Sequence, residues 1–231
     1  MIQDTQIRDF LLELDVAGLP RVWFAEEITN STLSSKSSSL TPADPRTELD
    51  FEQLKQQALS CRLCTLCETR KNVVFGDGNT TSPLIAFVGE GPGADEDEAG
   101  LPFVGQAGQL LNSAIEKGLG LKREDIYICN VVKCRPPENR TPLPAEVSAC
   151  SPYLYRQLEL INPKVIVTLG QTAQLALSGN NIGITKLRGQ WQKWRDIPLM
   201  PTFHPAYILR NPPAKKPFWE DLQAVMKFLG I

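Results

Sequence analysis

Cys61, Cys64 and Cys67 form a C-x2-C-x2-C run, the most concentrated set of thiols in this 231-residue chain. Thiolates two residues apart can reach one metal centre from a single turn. A bacterial ferredoxin run would place a fourth cysteine at position 71 with a proline after it, and position 71 is lysine. Further sulfur must therefore come from far along the chain. Cys134 and Cys150 are available, whereas Cys129 lies in an apolar run expected to pack inside a sheet. An all-sulfur set without histidine suits either an iron–sulfur cluster or structural zinc. Unliganded buried thiols are the bland alternative, and the clustering argues against it. Spacing alone does not choose iron over zinc, nor decide which of Cys61 and Cys67 pairs with Cys64.

A second group is polar and glycine-rich. Gly89-Glu90-Gly91-Pro92-Gly93 follows an apolar run but is not G-x-G-x-x-G, and the four acids Asp95 to Glu98 behind it are a poor seat for a pyrophosphate. The glycines instead let backbone N–H groups approach a ligand closely. Glu90 is the only titratable side chain of that loop. His204 is the only histidine in the chain and precedes a proline; a lone histidine is often structural, yet it can donate to a developing anion. Asn130 offers a donor beside an acceptor, which matches one edge of a pyrimidine base. Phe103, taken singly, reads as core more readily than as a stacking platform.

These residues need elements to gather them. Strands are expected at Leu84–Val88, Ile126–Val132, Lys164–Leu169 and Leu199–Phe203. Helices are expected at Gly105–Lys117, over Glu146–Ile161 in two pieces broken at Pro152, from Gly170 through Leu177, and over Phe218–Leu229. Strands alternating with helices imply right-handed βαβ units and a mostly parallel sheet. Ligands in such sheets bind beyond the carboxyl ends of the strands. Gly89–Gly93, Asn130–Cys134, Gly170–Thr172 and His204–Tyr207 all fall there, so a pocket should form where they converge.

Residues 5–14 read as a short amphipathic helix and 29–45 as a Ser/Thr-rich linker. The expected division is an appendage over 1–50 and a working domain over 51–231. Residues 1–50 hold four basic and nine acidic side chains, the remainder 20 and 17. Lys186 to Lys227 alone has eight basic against three acidic, a face that could meet phosphates. No apolar run reaches the roughly 18 residues of a membrane span. Acids also stand near the start, where a signal peptide would be basic and then apolar. A cytoplasmic monomer away from membranes is expected.

Taken together, GEGPGADEDEAGLPFVGQAGQLL, NVVKCRPPENRTPLPAEVSAC, ITKLRGQW and FHPAYILRNP resemble the family-4 uracil-DNA glycosylases, the iron–sulfur branch of that superfamily. The likeness runs from about Leu59 to Leu229 in the right order. It implies a three-layer α/β fold with a four-stranded parallel sheet between helices. It implies a 4Fe–4S cluster on Cys61, Cys64, Cys134 and Cys150, with Cys67 a bystander. It implies a flipped-out uracil stacked on Phe103, read by Asn130, near His204 and the Gly89–Gly91 backbone, with Glu90 and Asn139 in or beside the active site. Other branches carry an acidic or amide side chain where Gly91 stands. Uracil-containing DNA, single- or double-stranded, would be held by Lys186 and Arg188 on its phosphates and by a wedge at Tyr207, Leu209 and Arg210. The expected activity is base-excision repair by hydrolysis of the uracil N-glycosidic bond. A metal-stabilised nucleic-acid- or nucleotide-binding α/β protein without that activity is the alternative, and an electron carrier is disfavoured by the broken ferredoxin run.

Overall fold

The computed structural model describes residues 44–231. The helix expected at 5–14 and nearly all of the linker expected at 29–45 lie outside them. Four strands, β2 (Ile85–Gly89), β3 (Ile126–Asn130), β4 (Val165–Leu169) and β6 (Ile197–Thr202), form the centre of the sheet. β2 pairs in parallel with both β3 and β4, and β4 pairs in parallel with β6. These are the expected strands, and β2 to β4 are buried at every position. Both sheet faces are covered, which explains why they read as continuous apolar runs.

The sheet has six strands, in the order β1-β3-β2-β4-β6-β5, where four were expected. β1 (Asp77–Gly78) and β5 (Gln192–Trp194) add antiparallel edges. Two- and three-residue edge strands carry no periodicity to read, and they blunt the sheet against further pairing.

Alternation along the strands divides two cores. Ala86, Val88, Tyr127, Cys129 and Ile166 face α1 (Phe51–Leu59) and α4 (Pro144–Ile161). Ile85, Phe87, Ile128, Val165 and Val167 face α3 (Gln106–Ser113) and α8 (Lys215–Leu229). α2 (Ala94–Ala99), α5 (Gln171–Ser178), α6 (Ile184–Leu187) and α7 (Pro205–Arg210) complete the helices. The break expected at Pro152 does not occur: α4 is continuous through it. The Ser151 hydroxyl donates to the Val147 carbonyl at 2.7 Å. Cys150, Tyr153, Leu154 and Leu158 bury both halves against one core, so packing overrides the missing N–H. α3 ends earlier than Lys117, passing into a π-turn over Ala114–Leu119.

Asp44 to Leu49 packs onto α4 ahead of Asp50. Arg46 donates to the Ala149 carbonyl at 3.3 Å, and Arg156 donates to the Leu49 carbonyl at 2.7 Å. Among the described residues no helix is long and apolar enough to cross a membrane.

Candidate active site

β2, β3, β4 and β6 all end on one side, and a cavity of about 580 Å³ opens there. Glu90, Gly91, Phe103, Asn130, Asn139, His204, Tyr207 and Arg210 line it together. Residues spread over more than a hundred positions thus meet at the crevice where the strand order reverses.

Asn130 closes β3 and is 1% exposed. Its side-chain Oδ1 is buried and has no hydrogen-bond partner in the protein. A buried amide oxygen left unpaired costs about 1–3 kcal/mol, so its natural partner is a donor on a ligand. Gly89 lies opposite Asn130 in the ladder. A Cβ at Gly89 would sit 2.7 Å from Phe103 Cζ and closer still to Asn130 Oδ1. Glycine here makes room for both side chains.

Phe103 holds a left-handed backbone, φ 55°, and is 5% exposed. Such strain in a bulky residue persists only where the surroundings over-determine it. α3 presses against this turn through Gly108, whose Cβ would collide with the Phe103 carbonyl. The ring lies 5.7 Å from the His204 imidazole, tilted by 32°.

His204 is the N-cap of α7, and its Nδ1 accepts from the Ala206 N–H at 3.1 Å. An accepting Nδ1 leaves Nε2 as the N–H donor of a neutral ring. Burial, reinforced by the nearby Arg210 charge, pushes the imidazole down to about 4. His204 is therefore a neutral donor at physiological pH.

Glu90 follows β2 and accepts a hydrogen bond from the Thr172 hydroxyl at the start of α5. A side chain at Gly91 is crowded: its Cβ would lie 2.7 Å from Val132 Cγ2, which would have to give way. Asn139 is exposed on the rim with φ 56°, and its Oδ1 accepts from Arg135 Nε at 2.8 Å.

Two acids missed in the sequence hold the pocket walls. Glu96 accepts from the N–H groups of Gly93, Val104 and Gly105 at 2.9–3.0 Å, tying the glycine loop to the Phe103 turn. Glu146 accepts from Arg140 at 2.7 and 2.9 Å and from Leu143 N–H at 2.7 Å. The Arg140 guanidinium chiefly holds that carboxyl down at about 2. Proline at the first position of α4 with glutamate two residues later was a readable helix-start signal for Glu146. Glu96 sat unmarked in a run of four acids.

Cys61, Cys64, Cys67, Cys134 and Cys150 line a second, small cavity with Arg70 and Lys133. Cys129 is fully buried in β3, away from this lining. Arg70 Nη1 donates to Cys134 Sγ at 3.0 Å, and Lys133 N–H donates to Cys150 Sγ at 3.3 Å. Burial raises the Cys64 and Cys134 thiols and pushes Cys150 up to about 12. The cysteine loop is tied to both pocket walls. Thr65 donates to Glu146 at 3.3 Å, and the N–H groups of Lys71 and Asn72 donate to Asp97 at 3.0 and 3.2 Å.

Tyr207, Leu209 and Arg210 are exposed on α7, and Lys186 is exposed on α6. Tyr207 stacks on Phe203 at 5.1 Å, and its hydroxyl accepts from Asn211 at 2.7 Å. Arg188 differs from the expectation of a phosphate contact. Its guanidinium turns inward to Asp221 and to the Pro217 carbonyl, at 2.9 and 2.6 Å. Asp221, 1% exposed, needs that cation.

Fold and pocket together define an α/β protein of the uracil DNA glycosylase superfamily, whose family model matches residues 75–223. A type-4 uracil-DNA glycosylase of Thermotoga maritima is 50% identical over 163 residues, covering 70% of this chain and 84% of the relative. One from Sulfurisphaera tokodaii is 45% identical over 183 residues, covering 76% and 83%. One from Saccharolobus solfataricus is 43% identical over 191 residues, covering 78% and 87%. The chain belongs to the type-4 uracil-DNA glycosylases.

Proposed function

We propose that residues 51–231 form a monofunctional glycosylase domain that hydrolyses the N-glycosidic bond of uracil in DNA, leaving an abasic site for repair. The observation that carries this reading is the unpartnered Asn130 amide at the floor of a cavity walled by Phe103 and His204. Uracil presents N3–H to Asn130 Oδ1 and O4 to Nδ2. Cytosine reverses both groups and leaves buried atoms unpaired, a mismatch that can discriminate by roughly 10⁴-fold.

The base must leave the stack, at a cost of a few kcal/mol. Tyr207, Leu209 and Arg210 fill the gap, and Lys186 contacts phosphate. Water adds to C1′ as the C1′–N1 bond breaks and gives up one proton to solvent; the bonding pair departs with uracil and gathers on O2. The neutral His204 Nε2–H and loop N–H groups stabilise that anion, a type of contact worth about 3–4 kcal/mol. Glu90 stabilises the cationic sugar or positions the water, and Asn139 closes the rim.

The cysteine cavity fits an anionic sulfur-ligated group: two cationic side chains and a main-chain N–H face its sulfurs. The group proposed there is the 4Fe–4S core that the family resemblance implies, on Cys61, Cys64, Cys134 and Cys150. Glycosidic hydrolysis involves no net oxidation or reduction, so such a group contributes architecture, pinning the cysteine loop to β3 and α4.

The test is alkaline cleavage of a uracil-containing oligonucleotide after incubation with the protein. Product from single- or double-stranded uracil substrate is expected, and absence of product from both refutes the proposal. An active protein containing zinc and no iron would overturn the cluster assignment alone.

A further inference from the structure

Lys133 is 2% exposed, three residues past the base-reading Asn130 and directly before Cys134. Its Nζ donates to the Asn130 main-chain carbonyl at 2.8 Å and lies 5.8 Å from the Phe75 ring centre. No acidic side chain among the described residues forms an ion pair with it. Its main-chain N–H donates to Cys150 Sγ at 3.3 Å, and the residue lines the cysteine cavity beside Cys134. The side chain thus spans the layer between the cysteine cavity and the pocket floor.

We infer that Lys133 is a positioning residue that couples the cysteine centre to base recognition, gripping the Asn130 carbonyl through its side chain while its main-chain N–H holds the Cys150 sulfur. The inference rests on the uracil-reading role proposed for Asn130. It assigns the cysteine centre a specific output: the setting of the strand end that carries the reading amide. A group that only tied loops together would affect stability and leave base preference alone.

Lys133→Met keeps the aliphatic stem and removes both donor and charge. Lys133→Arg keeps the charge but carries its donors past the Asn130 carbonyl. The readouts are iron per chain and the ratio of dissociation constants for two otherwise identical oligonucleotides, one with uncleavable 2′-fluorodeoxyuridine and one with thymidine. Iron-replete Lys133→Met is expected to lose about tenfold of the uracil preference while its affinity for the thymidine control is unchanged. An iron-replete Lys133→Met protein with wild-type preference overturns the inference. If Lys133→Met loses its iron, Lys133→Arg decides: reduced preference with iron retained supports the coupling, and wild-type preference overturns it. Iron loss from both variants also overturns it, since the lysine then serves the cysteine centre alone. A wild-type protein without uracil preference instead refutes the proposed function.

Discussion

Gly89→Ala tests whether the pocket floor works by close approach. The backbone at Gly89 is not left-handed, so alanine is tolerated there conformationally. Its methyl group would lie 2.7 Å from Phe103 Cζ, against the 3.4 Å at which ordinary contact begins. The ring must therefore retreat by about 0.7 Å, and the Asn130 amide, closer still, by about 1 Å. A misplacement of about 1 Å at a reacting centre can lower the rate roughly 10²-fold, while overpacking costs about 1–3 kcal/mol of stability. Single-turnover cleavage of a uracil oligonucleotide, read on a gel after alkali, measures the first effect. Thermal unfolding measures the second. A folded Gly89→Ala protein cleaving within about threefold of wild type would refute the argument that Phe103 and Asn130 owe their placement to the missing side chain.

His204 gives a pH prediction. Its imidazole titrates near 6.5 when unfolded and about 4 when folded. Between those values the unfolded chain binds more protons, so stability falls as pH drops through that window and is unaffected above it. The single-turnover rate should show no break at 6.5 and decline only towards 4; an inflection near 6.5 would count against the neutral donor. Arg188→Ala strands the buried Asp221 and should destabilise by about 3–5 kcal/mol in denaturant titration. Lys186→Ala should instead leave stability intact and flatten the salt dependence of DNA binding. Iron analysis should find the metal retained in Cys67→Ser and lost from Cys150→Ser; the reverse pattern would reassign the ligands.

Three of the four central strands, β2 to β4, were legible because each is buried along its whole length and reads as a continuous run of mostly apolar residues. The pocket's membership was legible for a related reason: Glu90, Asn130 and His204 each stand at or just past the end of an apolar run, where an α/β sheet places its ligand. The short edges Asp77–Gly78 and Gln192–Trp194 exist only through their partners, so nothing local marks them. Pro152 misled because local chemistry was outweighed by the packing of Cys150 and Leu154. Arg188 misled in a similar way, since its positive charge was visible and its partner Asp221, 33 positions away, was not. Lys133 and Glu96 gain meaning only from the carbonyl and N–H groups they meet in three dimensions.

Val132 crowds the space above Gly91. A carboxylate or amide introduced at position 91 to steer water would meet that valine before it met substrate. The gain could be realised only after position 132 had shrunk, and a smaller residue there brings no catalytic benefit of its own. The two positions therefore stand in an ordered dependence: one change is harmful first and useful only second. A selection experiment that mutates position 91 alone would find a dead end, whereas paired libraries at 91 and 132 would open a route to a different way of handling water.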